Sequence, residues 1–156
     1  MRILIWVAML TMVIDQASKY FVVHSMNLAV RGSIDVLPPV FNLRMAWNTG
    51  INFGLFAQDN PYSRWILIGV ALVISLAVII WVARLQASAW LRVAAGLLVG
   101  GAIGNVIDRI QYGAVADFIN MSCCGIRNPF SFNVADVAVF AGAIGLIFLA
   151  PDKKHS

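Results

Sequence analysis

The sequence predicts an all-α membrane protein: four transmembrane helices with short strands and turns laid on their outer face. Three observations carry that class. Of the 156 residues, 61% are hydrophobic and only 12% are charged, against about 25% charged in a typical soluble domain. Mean hydropathy is +0.85, more than a soluble interior of this size can absorb. Finally, apolar runs approaching the roughly 20 residues needed to cross a bilayer recur along the chain. The length suits a single integral membrane domain over residues 1–156.

The first run covers residues 3–23 and is interrupted by Asp15 and Lys19. Arg2 ahead of the apolar stretch Ile3–Ile14 also fits a secretory signal peptide. No A-x-A-like cleavage site follows, however, and the apolar pattern resumes through Tyr20, Phe21, Val22 and Val23, so a retained helix is expected. The second run, 65–83, carries no charge. The third, 93–110, ends in Asp108-Arg109, and the fourth, 134–150, holds Asp136 near its start. An even number of spans puts both termini on one side. Arg2, the short linker with Arg84 and Arg92, and the tail Lys153-Lys154 concentrate positive charge there, which makes that side cytoplasmic. Trp6, Trp65, Trp81 and Trp90 fall near span ends, as interfacial anchors do. Two segments then face outward, 24–64 and 111–131. The longer one alternates apolar and polar residues in "VFNLRMAWN" and is punctuated by Pro38-Pro39, Asn48-Thr49-Gly50 and Asn60-Pro61, a pattern of short strands and turns.

Several function classes fall away. The net charge of +4 is dispersed, with no basic stripe to neutralise phosphates, so no nucleic-acid partner is expected. Cys123 and Cys124 are adjacent; ring closure between neighbours is strained and no second pair completes a zinc site, so two loop thiols are expected. His24 and His155 fall on opposite sides of the membrane, which leaves no Ser-His or Cys-His partnership. No metal or other cofactor is called for.

The acids are the informative residues. All seven are Asp, at positions 15, 35, 59, 108, 117, 136 and 152. Asp15 and Lys19 are four apart and share a helix face. Gly101, Gly104, Asn105 and Asp108 share a face near the outer end of the third span. Asn133 and Asp136 share a face at the start of the fourth, and Asp117 sits in the outer loop after the third. Four carboxylates thus meet at the outer membrane boundary, where charge costs less than the roughly 2.5–3.5 kcal/mol of mid-bilayer. The glycines of the third span allow the close helix approach this needs. One reading is structural, with Asp15 bracing Lys19 and Asp108 bracing Arg109. A second is a proton or cation path in a small non-enzymatic transporter or assembly protein, but the second span offers no ionisable group to continue such a path. A third is a carboxylate pair sharing one proton and activating water. Spacing alone leaves the choice open.

Five blocks bear on it: "DQASK" (15–19), "NTGINFGLF" (48–56), "GGAIGNVIDR" (100–109), "VADF" (115–118) and "FNVAD" (132–136). In this order, on a four-span pattern, they closely resemble the bacterial lipoprotein signal peptidases, also called type II signal peptidases. The resemblance implies an inner-membrane aspartic endopeptidase that removes the signal peptide of a prolipoprotein, cutting before a diacylglyceryl-modified cysteine. It also implies a four-helix bundle with a small periplasmic β-cradle, and inhibition by globomycin. Asp117 and Asp136 match the family's catalytic dyad. Asn105 and Arg109 match residues lining the substrate site, and Asn133 matches the Asn that orients the second catalytic Asp. Asp15, Lys19, Asn48, Gly50 and Asp108 match positions that support or shape the site. One departure stands out: after "NTG" the family usually has two small residues, whereas this chain has Ile51 and Asn52, whose bulk bears on substrate or inhibitor affinity.

Overall fold

The computed structural model describes residues 1–50, 62–123 and 128–150. Helix α1 spans Arg2–Lys19 and runs without a break into a π-helical segment, Tyr20–Ser25. A short helix α2, Leu28–Arg31, leads into strands β1, Ser33–Leu37, and β2, Phe41–Asn48. Two long helices follow, α3 over Ser63–Arg84 and α4 over Ala89–Tyr112. Strand β3, Val115–Met121, and helix α5, Val134–Leu149, complete the order.

Among the described residues, three helical stretches are long and apolar enough to cross a membrane: Arg2–Ser25, Ser63–Arg84 and Ala89–Tyr112. The apolar helix over Val134–Leu149 is shorter, at 16 residues. The helices lie on the four expected runs. Each of the first three extends beyond its run, because the flanking Arg, Ser and Tyr residues continue the backbone hydrogen bonding past the last apolar side chain.

Helix α4 is the axis of the bundle and packs closely against α1 on one side and α5 on the other. Glycine makes this possible. A Cβ added at Gly100 would stand 2.5 Å from the Ala8 carbonyl oxygen, and one at Gly101 would stand 2.5 Å from that of Ala135. A cluster of Leu4, Val82, Ala87, Leu91 and Ala95 closes the end nearest the first residue. Tyr20, Phe21, Trp6, Trp65 and Trp90 remain exposed on the outside of the bundle, as expected of side chains that face lipid.

The three strands form one antiparallel sheet in the order β1-β2-β3. Asp35 faces Asn42 across the first pair, and Ala46 faces Asp117 across the second, where β2 changes register between Leu43 and Ala46. Val22, Leu28, Leu43 and Phe118 bury the junction between this sheet and the outer end of α1. The expected strand character of segment 24–64 is present in β1 and β2. Residues 111–131 were expected as loop, and here the structure differs. Gly113 ends α4 with a positive φ of 78°, its N–H donating to the Arg109 carbonyl. The chain then enters β3 at once, so Asp117 is carried by a strand. The strand escapes a sequence reading because it is buried on both faces and lacks period-two alternation.

A second expectation changes at Cys123, which is disulfide-bonded rather than a free thiol. The only other cysteine in the sequence, Cys124, lies outside the described residues, as do Ile51 and Asn52.

Candidate active site

The end of the bundle next to the sheet holds a connected polar network in an otherwise apolar fold. Asp136 is the third residue of α5, and Asn133 is its N-cap. The Asn133 side-chain oxygen accepts from the Asp136 N–H (2.8 Å), while Asp136 Oδ2 accepts from the Asn133 N–H (3.2 Å). This reciprocal capping box ends the exposed backbone donors of the helix and locks the Asp136 side chain. Asn133 therefore precedes the helix instead of sharing its first face.

The same Asn133 reaches the other acid. Its Nδ2 donates to Asp117 Oδ1 at 2.7 Å and to Asn105 Oδ1 at 3.2 Å. Asn48 Nδ2 donates to Asp117 Oδ2 at 3.1 Å, and Asn105 Nδ2 donates to Asp136 Oδ1 at 2.9 Å. Gly50, at φ +91°, donates its N–H to Asn48 Oδ1 at 2.9 Å, a turn that aims the amide nitrogen of Asn48 at Asp117. Two carboxylates are thus held from opposite sides by amides, with Asn133 joining them. Burial, and then the charge of Asp136, push the Asp117 carboxyl up to about 6. Hydrogen bonds from Asn48 and Asn133 and the charge of Lys19 oppose the rise. A buried acid that releases its proton near neutrality, beside a second carboxylate, is equipped for general acid–base chemistry.

Behind the pair lies a buried ionic cluster. Lys19 Nζ stands 2.8 Å from Asp15 Oδ2 and 2.7 Å from Asp108 Oδ2, and all three side chains are almost fully enclosed. The Asp15–Lys19 pair is the one expected from the spacing. Asp108 differs: its expected partner was Arg109, but neighbouring helical residues point about 100° apart, and Asp108 turns inward to Lys19. Each of these two carboxylates also accepts from a backbone N–H beside the reactive pair. Asp15 Oδ1 takes the N–H of Ala135 (2.9 Å), and Asp108 Oδ2 takes that of Ala116 (3.1 Å). Arg109 Nη1 donates to the Asn105 carbonyl at 3.4 Å, and its Nε is buried with no partner among the described residues.

Gln16 is the participant that sequence reasoning missed. Its Nε2 donates to Asp108 Oδ1 (2.9 Å), Asp15 Oδ2 (3.2 Å) and the Gly104 carbonyl (3.2 Å), stitching α1 to α4. Its position three residues before Lys19, hence on the same helix face, was the available signal. Trp47 was missed as well. It lines a cleft of about 270 Å³ with Asn48, Asp117 and Phe130. A second groove of about 270 Å³ lies between α3, α4 and α5, bounded by Leu67, Val70, Ala71, Val139, Asn105 and Arg109. The acids therefore sit between a polar opening and an apolar one. No cluster of His, Cys, Asp and Glu among the described residues is arranged to hold a metal ion.

Comparison with known proteins gives consistent results. The family model described as signal peptidase (SPase) II matches residues 7–150. A lipoprotein signal peptidase of Methylobacterium sp. is 42% identical over 137 residues, covering 88% of this chain and 81% of the relative. That of Rhodopseudomonas palustris is 37% identical over 150 residues, with 94% and 90% covered. Among solved structures, a bacterial membrane enzyme determined by the in meso method at 1.9 Å resolution superposes with a TM-score of 0.79. It shares 27% identity and covers 97% of this chain and 94% of its own.

Proposed function

The chain belongs to the signal peptidase II family, and from that premise we propose that Asp117 and Asp136 are the catalytic dyad with which it removes signal peptides from prolipoproteins. The overall activity is that of the family: a membrane peptidase acting on prolipoproteins, which leaves no place for the non-enzymatic alternative. One observation supports the assignment of the dyad most directly. A single amide, Asn133, donates to Asp117 while its other end is fixed by Asp136.

The proposed reaction divides labour between the two acids. Asp136 accepts two hydrogen bonds at the N-terminus of α5, from the Asn105 amide and the Asn133 N–H. It takes a proton from a water held between the pair. Asp117, whose carboxyl is raised to about 6, holds the shared proton and gives it to the scissile carbonyl oxygen as the water oxygen adds to carbon. When the tetrahedral gem-diol collapses, the C–N bond breaks as the proton on Asp136 passes to the departing amine, and one hydroxyl proton of the gem-diol returns to Asp117. That amine belongs to a cysteine carrying diacylglycerol. Its signal helix enters sideways through the apolar groove between α3, α4 and α5, where Arg109, whose Nε has no partner among the described residues, serves substrate carbonyl or lipid headgroup oxygen.

The wider placement follows from the same reading. With α5 tilted or the bilayer thinned around it, four helices span the inner membrane. Both termini then lie on the cytoplasmic side with Arg2, Arg84 and Arg92, and the sheet forms a cradle on the periplasmic side. Membrane lipid surrounds the exposed aromatics, and globomycin-type inhibitors compete for the groove and the dyad. The test is cleavage of a diacylglyceryl-modified prolipoprotein in detergent. Asp117→Asn and Asp136→Asn should each insert, purify and leave it uncut; full activity of either removes the dyad.

A further inference from the structure

We propose that Lys19 is a positioning residue for the reaction, acting on Asp136 through the side-chain amide of Asn105. This rests on the dyad reading above and adds to it.

Lys19 is 4% exposed. Its ammonium donates to Asp15 Oδ2 at 2.8 Å and to Asn105 Oδ1 at 3.2 Å, and it is ion-paired with Asp108 Oδ2 at 2.7 Å. The two aspartates alone satisfy its charge. One of its hydrogen bonds is spent on a neutral amide that belongs to the proposed site.

That amide has two orientations, and its surroundings admit one. As placed, Asn105 Oδ1 accepts from Lys19 Nζ and from Asn133 Nδ2, and Nδ2 donates to Asp136 Oδ1 at 2.9 Å. A flipped amide would set its NH2 group against the Lys19 ammonium and the Asn133 NH2 group, and its oxygen against the Asp136 carboxylate. Asn133 cannot turn to relieve this, because its oxygen caps α5 and its nitrogen serves Asp117. Lys19 is the stronger of the two donors that fix Asn105, being charged and enclosed. Its own place is held from three sides: Gln16 donates to both of its carboxylate partners, and those partners grip the Ala135 and Ala116 N–H groups. The ionic cluster is therefore the anchor of a donor aimed at the dyad. Without it, Asn105 Oδ1 keeps only the Asn133 donor, and the amide that serves Asp136 is less firmly fixed.

A purely structural brace would behave differently. Lys19→Met should lower kcat about ten- to a hundredfold in the folded enzyme, the scale of losing a hydrogen bond to a charged group, with KM within about twofold. Asn105→Ala should show a similar kcat loss, and the two combined should fall little below Asn105→Ala alone. Folded enzyme is counted by its cooperative thermal transition in detergent. Should Lys19→Met fail to fold, Asp15→Asn/Lys19→Met removes one charge of each sign and is assayed in its place. A folded variant with wild-type kcat overturns the proposal, as do losses that multiply in the combined variant. Asp136→Asn, run alongside, separates this failure from failure of the dyad: activity in that variant removes the premise, whereas its inactivity beside a fully active Lys19→Met removes only the role of Lys19.

Discussion

At Asp117 a carboxyl that is 3% exposed is kept from its ordinary range by burial and by the neighbouring acid. The consequence for stability has a definite sign. The folded-state value of about 6 lies above the ordinary aspartate value of 3.8, so between those two pH values the native protein holds a proton that the unfolded chain has released. This group contributes its full stabilisation below about pH 4 and loses it as the pH climbs to about 6, a change on the order of 3 kcal/mol at about 1.4 kcal/mol per unit. Melting temperatures of the wild type and Asp117→Asn across pH 4–7 give the check. The wild type should lose stability relative to the variant through this window and run parallel to it above. Parallel curves throughout would mean that Asp117 has an ordinary carboxyl. At this scale much was legible. Asp15, Lys19, Asn105, Asp117, Asn133 and Asp136 were all singled out from the sequence, and all lie in one hydrogen-bonded network. The partner of Asp108 was not legible, because adjacency in sequence suggested Arg109 while the helix turned the two side chains apart. Gln16 was overlooked because an amide without charge gives no sign of burial in a linear reading.

Between elements, the site depends on how closely α1 and α5 approach α4. Gly96 faces Val7 and the Leu4 carbonyl, Gly100 faces Ala8 and Thr11, and Gly104 faces Asp15. This stripe lets Asp15 reach Asp108 through Lys19. A Cβ at Gly100 would lie 2.5 Å from a backbone oxygen, which no side-chain rotation relieves, whereas one at Gly69 on α3 meets nothing within 4 Å. Gly100→Ala should therefore cost about 1–3 kcal/mol through overpacking, lowering the melting temperature and the activity together. Gly69→Ala should be neutral or stabilising by up to about 1 kcal/mol, since alanine is the better helix former. Equal melting temperatures for the two variants would contradict this account of the packing. The helices could be read from the length of their apolar runs, whereas the Asn133-to-Asp136 spacing suggested a shared helix face and proved to be a capping box. Strand β3 could not, since its residues are enclosed on both faces and its partner β2 lies far away in sequence.

For the molecule as a whole, Asp117 and Asp136, the proposed dyad, lie where two environments meet. Asn105 lines the apolar groove and donates to Asp136, while Asp117 lines the polar cleft beside Trp47 and Asn48. The proposed hydrolysis needs both: water to attack the carbonyl, and an apolar path for a signal helix that would be costly to draw into solvent. The groove predicts how substrate should respond to steric change. Ala71 on α3 lines it without carrying any of the acids or amides of the network. Ala71→Phe would fill part of the groove and displace about two methylenes of substrate, each worth about 0.8 kcal/mol, so KM for a lipidated prolipoprotein should rise about tenfold. Because the dyad and its amides are untouched, kcat should stay within about twofold, the pattern of lost ground-state binding. An unchanged KM would show that substrate reaches the proposed dyad by another route, such as the polar cleft at Trp47.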